Sequence, residues 1–168
     1  KEAVELYLDH LSDRGIIAYE EPDVTASDRL AVFRILRTIQ AALEAKGAKD
    51  WLEHLYVFRW ITDTNAYTQI LVKRTPFRPD EVKRLDYWLE QIRQVKKRKA
   101  RGMLRPKIVE VHKPGRTEDT PYAPVLLGKI DDPKFRFVNI KPMTDDVPFT
   151  YDTHVIGWKQ LSAFLLAL

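Results

Sequence analysis

A β-hairpin is predicted from the stretch LYVFRWITDTNAYTQILVK, residues 55–73. Two runs rich in β-branched and aromatic residues flank TDTNA, whose aspartate and asparagine favour a turn. In the first run Tyr56, Phe58 and Trp60 occupy alternate positions, so their side chains share one face of the strand. These aromatic side chains either pack as core beneath a helix or remain exposed, where they can stack on unpaired bases.

Two helices are predicted before the hairpin. In TASDRLAVFRILRTIQAALEAKG, residues 25–47, apolar side chains recur at the three- and four-residue spacing of an amphipathic helix. Thr25 or Ser27 can cap the start of this helix, and Gly47 can end it. The same spacing in residues 1–14 predicts a shorter amphipathic helix.

A further helix is predicted after the hairpin, in RPDEVKRLDYWLEQIRQVKKRKARG, residues 78–102. Pro79 fits the first turn, acidic residues follow near the positive end of the helix dipole, and basic residues precede Gly102 at the negative end. The buried face of this helix is predicted to contain Val82, Leu85, Ile92, Val95 and either Trp88 or Leu89.

The last third of the chain is predicted to be rich in strands. The candidate strands are KIVEVHK (107–113), VLLGKI (125–130) and FRFVNIK (135–141). The proline-bearing segments 114–124 and 142–153 are polar and are expected to be exposed loops. A terminal helix is predicted in WKQLSAFLLAL, residues 158–168.

Together these elements predict an α+β fold in a single domain, with a mixed or antiparallel sheet of about five strands flanked by helices. A chain of 168 residues with 45% hydrophobic and 31% charged residues is long enough and apolar enough to bury its own core. Within this domain, residues 1–168, a helical N-terminal part (1–50) precedes the hairpin and basic helix (51–104) and a strand-rich C-terminal part (105–168).

The chain contains no cysteine. A disulfide framework and a thiolate metal site are therefore excluded, and a reducing compartment is favoured. No run of about 18 apolar residues predicts a membrane span, and the acidic residues near the start do not resemble a secretory signal. We therefore expect an intracellular protein, in the cytoplasm or an organellar matrix, without a membrane partner.

Positive charge is concentrated in RQVKKRKARGMLRPK, residues 93–107, which we call the basic segment. It contains eight basic residues and no acidic one, whereas the whole chain has a net charge of only +4. A solvated helix end accounts for some of these charges, but eight are more than the helix dipole requires, which favours a phosphate-contacting surface. The predicted nucleic-acid contacts are Arg93, Lys96, Lys97, Arg98, Lys99, Arg101, Arg105 and Lys107.

A second hairpin is predicted in GKIDDPKFRFVNIK, residues 128–141, with its turn at DDPK. This hairpin would place Asp131 near Asn139 and Lys141, which lie two residues apart and so share a strand face. A carboxylate, an amide oxygen and an ammonium group can together hold Mg²⁺ and stabilise negative charge that develops on a scissile phosphate. The alternative is a simple turn and an alternating strand whose charged side chains lie in solvent.

These residues, together with QLSAF at 160–164, resemble the motifs of the RecB-like nucleases of the PD-(D/E)xK superfamily. That family has G-x-x-D, then (D/E)-x-K on a neighbouring strand, then Q-x-x-x-Y on a helix, and the chain has GKID, NIK and QLSAF in this order. The resemblance implies that Asp131 is a ligand of Mg²⁺ and that Gln160 contacts DNA or supports its helix. It also implies that Asn139 and Lys141 occupy the catalytic positions. Asn139 replaces the family's carboxylate by a neutral amide, which weakens the binding of a divalent cation.

The predicted function is nucleic-acid binding, by a RecB-like DNA nuclease or by an inactive derivative of one. Mg²⁺ is the expected cofactor if the protein is a nuclease. The alternative is an RNA-binding structural subunit of a large ribonucleoprotein assembly, such as an organellar ribosome, in which the basic segment and the proline-bearing loops contact RNA. A third hypothesis is a protein-interaction module that does not bind nucleic acid.

Overall fold

Within the residues that the structure describes, five strands form one antiparallel sheet. The structure is a computed structural model, and it describes residues 1–62, 64–94, 107–130 and 138–146. The strands are β1 (Ile17–Pro22), β2 (Leu55–Ile61), β3 (Ala66–Val72), β4 (Lys107–Lys113) and β5 (Arg116–Thr117), in the spatial order β1-β3-β2-β4-β5. The helices are α1 (Glu2–His10), α2 (Ala26–Ala45), α3 (Pro79–Gln94) and α4 (Ala123–Leu126), with a 3₁₀ turn at Trp51–His54. The predicted α+β class is confirmed.

Helix α2 begins and ends where the sequence predicts. The Thr25 hydroxyl accepts a hydrogen bond from the Asp28 backbone NH at 3.1 Å, and the Asp28 carboxylate accepts one from the Thr25 NH at 2.8 Å. This reciprocal pair is a capping box. Gly47 follows the helix with a φ of +88°, which glycine adopts without strain. Helix α1 is shorter than the predicted residues 1–14, because Leu11 has an extended backbone.

The two faces of the sheet carry separate hydrophobic clusters. Helices α1, α2 and α4 cover one face, and we call the side chains buried there the α2-face core. Helix α3 covers part of the other face, above the α3-face core. The α2-face core includes Leu8, Leu36, Val57, Ile70, Val111, Tyr122 and Val125. The buried residues of the α3-face core are Tyr56, Phe58, Phe77, Leu89 and Ile108.

The predicted strand VLLGKI at 125–130 is wrong. Val125 and Leu126 lie in α4, where Pro124 occupies the first turn, and Gly128 follows with a φ of +71°. A short apolar run fits a buried strand and a buried helical turn equally well. Pro124, at the start of this run, favours the helical turn, because proline is tolerated in the first turn of a helix but lacks the backbone NH that a central strand needs.

The predicted strand FRFVNIK at 135–141 is described only from Val138 onward. Val138 forms a single β-bridge, and residues 139–141 belong to no strand. The second predicted hairpin is therefore not a pair of strands in the part of it that the structure describes. The predicted terminal helix at 158–168 lies outside the described residues.

Strand β1 was not predicted from the sequence. It lies at an edge of the sheet, where it pairs with β3, and only one of its faces is packed. Ile17 and Tyr19 pack against the α2-face core, while the alternate residues are exposed. The prediction that residues 114–124 form an exposed loop is wrong in part, because they include β5 and the fully buried Tyr122.

A β-bulge interrupts the pairing of β2 with β4. Val57 lies opposite His112, but the next residue, Phe58, lies opposite Glu110. Val111 is therefore an extra residue in β4. Its side chain packs in the α2-face core, whereas Ile108 of the same strand packs in the α3-face core.

Beside the bulge, His112 is buried and joins β4 to the 3₁₀ turn. Its Nε2–H donates to the Leu52 carbonyl at 2.8 Å, which leaves Nδ1 to accept a hydrogen bond from the Thr117 hydroxyl at 2.9 Å. Both ring nitrogens are thus satisfied in the neutral form. Burial lowers the pKa of His112 below its ordinary value of 6.5, although the Leu52 carbonyl and nearby carboxylates oppose this shift.

We expect the free energy of unfolding to fall as the pH is lowered below 6.5, because unfolded His112 takes up a proton there and folded His112 does so only at lower pH. Urea unfolding between about pH 5 and pH 8 measures this dependence. His112→Gln should remove part of it, whereas His10→Gln, at an exposed position, should retain it. An unchanged dependence in His112→Gln would contradict the assignment.

Candidate nucleic-acid interface

Helix α3 crosses the sheet from one end to the other. In its first turn, the Glu81 carboxylate lies 2.7 Å from Lys73 Nζ, which directly follows β3. Farther along the helix, the ring of Trp88 meets the ring of Phe58 edge-on, with the ring centroids 6.4 Å apart. From Glu81 to Trp88, α3 therefore runs in the same direction as β2, towards the end of the sheet at which Ile61 lies.

The basic segment connects the end of α3 to the start of β4. Arg93 is exposed near the end of α3, with Nη1 3.4 Å from the Glu90 carboxylate. Lys107 is exposed and lies opposite Ile61 in the ladder of β2 and β4. The other predicted contacts, Lys96, Lys97, Arg98, Lys99, Arg101 and Arg105, lie outside the described residues. Lys107 therefore lies beside the end of β2, whereas Arg93 lies near Tyr56, Glu110 and Lys113 on the β4 side of α3.

A groove lies between α3 and the strands that this helix leaves open. Helix α3 packs mainly over β2 and β4, and the same face of β1 carries exposed side chains. The groove has a volume of about 730 Å³, which is within the range of small-molecule binding sites. Its apolar walls are formed by Phe58, Trp60, Tyr67, Leu71, Leu85 and Trp88.

Three aromatic side chains of the groove reach solvent. Trp88 is 50% exposed. Trp60 and Tyr67 are partly exposed and lie directly opposite each other in the ladder of β2 and β3. The aromatic residues of β2 thus differ in their environment. Tyr56 and Phe58 are buried as core, whereas Trp60 lines an open surface.

The wall of the groove opposite α3 is polar. Glu20 of β1 lies opposite Gln69 of β3, and the Gln69 side-chain NH₂ donates a hydrogen bond to the Glu20 carboxylate. Glu20 is exposed. This wall therefore presents a negative charge and hydrogen-bonding groups to whatever enters the groove.

On the other side of α3, an ion network holds the helix to β2 and β4. The Tyr56 hydroxyl donates to Asp86 at 2.6 Å, and Lys113 donates to Asp86 at 3.1 Å and to Glu110 at 3.2 Å. Burial and the hydrogen bond to Asp86 raise the pKa of Tyr56 well above its ordinary range. Burial alone lowers the pKa of Lys113, but its two carboxylate partners raise it overall. Lys113 is thus paired with two carboxylates, so it stabilises the fold and is not available to a ligand.

The residues of the nuclease-like constellation are only partly described. Asn139 Oδ1 accepts a hydrogen bond from the Lys141 backbone NH at 3.2 Å. Ile140, between them, is buried in the α2-face core, while Lys141 is exposed. Asp131 and Gln160 lie outside the described residues.

The histidines and carboxylates of the described residues form no group of three that could hold a metal ion. His10 is exposed, and His54 is buried with its Nδ1 3.2 Å from the Lys73 carbonyl. Together with the internally bonded His112, these histidines have structural or surface positions. His154 and the predicted Mg²⁺ ligand Asp131 lie outside the described residues.

Tyr67 and Trp88 are aromatic residues of the groove that were not assigned to a site from the sequence. Tyr67 was within reach, because a hairpin folded about TDTNA places it opposite Trp60. For α3, the sequence left Trp88 and Leu89 as alternatives for the buried face. In the structure Leu89 is buried and Trp88 is half exposed. The periodicity of α3 predicts which of its side chains are apolar, but it does not predict on which side of the sheet the helix lies.

No protein-family model, curated protein or solved structure matches this chain. Among the described helices, none is both long enough and apolar enough to cross a bilayer. The interface is therefore interpreted from its own chemistry.

Proposed function

We propose that this protein binds nucleic acid and that the basic segment contacts the backbone phosphates. The observation that supports this proposal most directly is that the basic segment contains eight basic residues and no acidic one, and that its described ends, Arg93 and Lys107, are exposed. Lysine and arginine side chains that neutralise phosphates supply most of the sequence-independent affinity for nucleic acid.

Charge pairing elsewhere on the protein supports the choice of this segment. Several exposed cations on other elements face carboxylates, such as Lys46 with Asp9 and Arg116 with Glu118, each pair at 2.6 Å. The basic segment contains eight cations and no carboxylate of its own. Its positive charge is therefore the largest that the sequence leaves unbalanced over so short a stretch, and polyanions are the partners that such a charge attracts.

Replacing Lys96, Lys97 and Lys99 together with glutamine is expected to weaken binding to single- and double-stranded DNA and RNA alike. Each lost phosphate contact removes about 0.9 from the slope of log K against log salt on duplex DNA, so the slope should become less negative by about 3. Fluorescence anisotropy of labelled oligonucleotides, titrated between about 50 and 200 mM salt, measures both the affinity and the slope.

The matched control is the triple replacement of Arg14, Lys49 and Lys129 with glutamine. These residues are exposed, do not line the groove and carry the same total charge. This control should retain affinity and slope. If both triple variants behave alike, the basic segment has no special role, and if the parent protein does not bind at low salt, the proposal is wrong.

The same oligonucleotides with Mg²⁺ test the nuclease hypothesis. Cleavage that requires Mg²⁺ and is lost in Lys141→Ala would support a RecB-like nuclease, whereas binding without cleavage would support an inactive derivative or a structural RNA-binding subunit.

A further inference from the structure

The groove beside α3 combines aromatic walls with negative charge. Its polar lining residues are Glu20 and Gln69, and no lysine or arginine lines it in the part of the chain that the structure describes. Lys107 belongs to the opposite face of the sheet, because it lies opposite Ile61, and Arg93 lies on the β4 side of α3. The described ends of the basic segment therefore do not change the charge of the groove.

Two cations on the elements that border the groove are already paired. Lys73, which follows β3, lies 2.7 Å from the Glu81 carboxylate, and Arg84 of α3 lies 3.1 Å from Asp80. Among the described lining residues, Glu20 is thus the one that carries a charge. A ligand that complements this groove carries positive charge.

The Glu20 carboxylate is held in place on the aromatic side of the sheet. Gln69 lies directly opposite it on β3 and donates a side-chain hydrogen bond to it. Tyr67, two residues before Gln69, shares this face and is a diagonal neighbour of Glu20, a relation that long side chains can span. A carboxylate accepts several hydrogen bonds, so the bond from Gln69 leaves Glu20 able to pair with a ligand.

The aromatic side chains of the groove are also suited to a cation. Trp60 and Tyr67 lie opposite each other in the ladder of β2 and β3, and Trp88 of α3 is 50% exposed in the same groove. The face of an aromatic ring attracts a cation that approaches its centre, and tryptophan does so most strongly. Alkyl groups on the cation favour this contact, because a bare ammonium group is strongly hydrated.

Other small ligands fit this chemistry less well. An anion is repelled by Glu20, and a neutral apolar molecule would remove water from the Glu20 carboxylate without neutralising it. The groove volume of about 730 Å³ is in the range of sites for whole small molecules. A cation that carries an apolar body therefore uses both the charge and the walls of the groove.

We propose that this groove binds a small organic cation, an alkylated ammonium with an aromatic or aliphatic body. The Glu20 carboxylate pairs with the charged group, and Trp60, Tyr67 and Trp88 contact it through their rings. This site is separate from the proposed phosphate contacts, so neither proposal depends on the other.

Three probes of matched shape and different charge test the site. They are para-hydroxyphenyltrimethylammonium, its neutral isostere para-tert-butylphenol, and the anion para-tert-butylbenzoate. Titration followed by the indole NH signals of Trp60 and Trp88 measures binding, with Trp51, buried in the α2-face core, as the internal reference. The ammonium probe should bind at least about 5-fold more tightly than the neutral isostere, and the anion should bind most weakly.

Glu20→Gln removes the charge and keeps the shape of the side chain. It should lower the affinity for the ammonium probe by roughly 3- to 5-fold and leave the affinity for the neutral isostere within about 2-fold. The matched control is Glu21→Gln, because Glu21 faces the other side of β1 and does not line the groove. This control should bind all three probes as the parent protein does.

Trp88→Leu removes an aromatic face and keeps an apolar side chain. It should weaken binding of the ammonium probe by roughly 2- to 5-fold, with a smaller effect on the neutral isostere. Tyr87→Leu is its control, since Tyr87 is 67% exposed and does not line the groove. Circular dichroism verifies that each variant is folded.

Several outcomes would overturn the inference. Equal affinity for the ammonium probe and its isostere, or equal behaviour of Glu20→Gln and Glu21→Gln, would make the groove a merely apolar surface. Indole signals of Trp60 and Trp88 that no probe shifts at millimolar concentration would mean that the groove is not a ligand site. A trimethyllysine peptide that binds through Glu20 when the free ammonium probe does not would assign the groove to a protein partner. Self-association that Trp88→Leu abolishes, in place of ammonium binding, would assign it to a second copy of the chain.

Discussion

Replacing Asp23 with alanine is expected to lower the free energy of unfolding by about 3 kcal/mol, because it leaves the buried Nε atoms of Arg29 and Arg59 without their carboxylate partner. Asp23 follows β1 and is 1% exposed. Its carboxylate pairs with Arg59 Nε and lies 3.5 Å from Arg29 Nε, and it accepts a hydrogen bond from the Thr68 hydroxyl at 3.1 Å. These contacts join the start of α2 to β2 and β3 beneath the helix layer.

Urea unfolding followed by circular dichroism measures the effect of Asp23→Ala. The control is Asp9→Ala, since Asp9 and Lys46 form an exposed ion pair whose loss should cost no more than about 1 kcal/mol. A loss of similar, small size in both variants would mean that the buried network stabilises the fold no more than a surface pair does.

Replacing Glu81 with alanine should destabilise the protein by a similar amount, about 3–5 kcal/mol. Lys73 is 1% exposed, and its ammonium group donates to the two Glu81 oxygens at 2.8 and 2.7 Å. The same carboxylate also accepts a hydrogen bond from the Arg78 backbone NH at 2.9 Å, which caps the start of α3. The substitution therefore strands a buried charge and removes a helix cap.

The double variant Lys73→Met with Glu81→Leu distinguishes these two effects. Apolar replacement of both partners leaves no buried charge, so it should recover most of the stability that Glu81→Ala loses, apart from the cap of about 1 kcal/mol. Asp80→Ala serves as the control, because Asp80 is an exposed acid in the same turn. A double variant as unstable as Glu81→Ala would show that the buried charge is not the cause.

The sequence predicts those parts of the fold in which local signals agree with one another. Helix α2 has an amphipathic pattern, a capping box and a terminating glycine, and α3 has a proline in its first turn followed by acidic residues. Strand β1 has no such agreement of local signals, because Glu20, Glu21 and Pro22 disfavour a strand. It forms because β3 pairs with it and because Ile17 and Tyr19 reach the α2-face core, and neither cause is local.

The candidate site was predictable in its charge but not in its shape. The basic segment is visible from the sequence alone, because charge density needs no fold to be recognised. The groove depends on the spatial order β1-β3-β2 and on the lateral position of α3, which leaves β1 open. Long-range pairing decides both, so the periodicity of α3 could not distinguish Trp88 from Leu89 as the buried residue.

The bulge in β4 also determines how α3 is anchored. Glu110 and Lys113 are three residues apart, and in a regular strand an odd separation sends two side chains to opposite faces. The extra residue Val111 shifts the alternation of side chains by one position, so the side chains of Glu110 and Lys113 both face α3. There Lys113 forms ion pairs with both Glu110 and Asp86. A single inserted residue thus allows one strand to present an adjacent acid and base to the same helix, an arrangement that its sequence spacing alone would forbid.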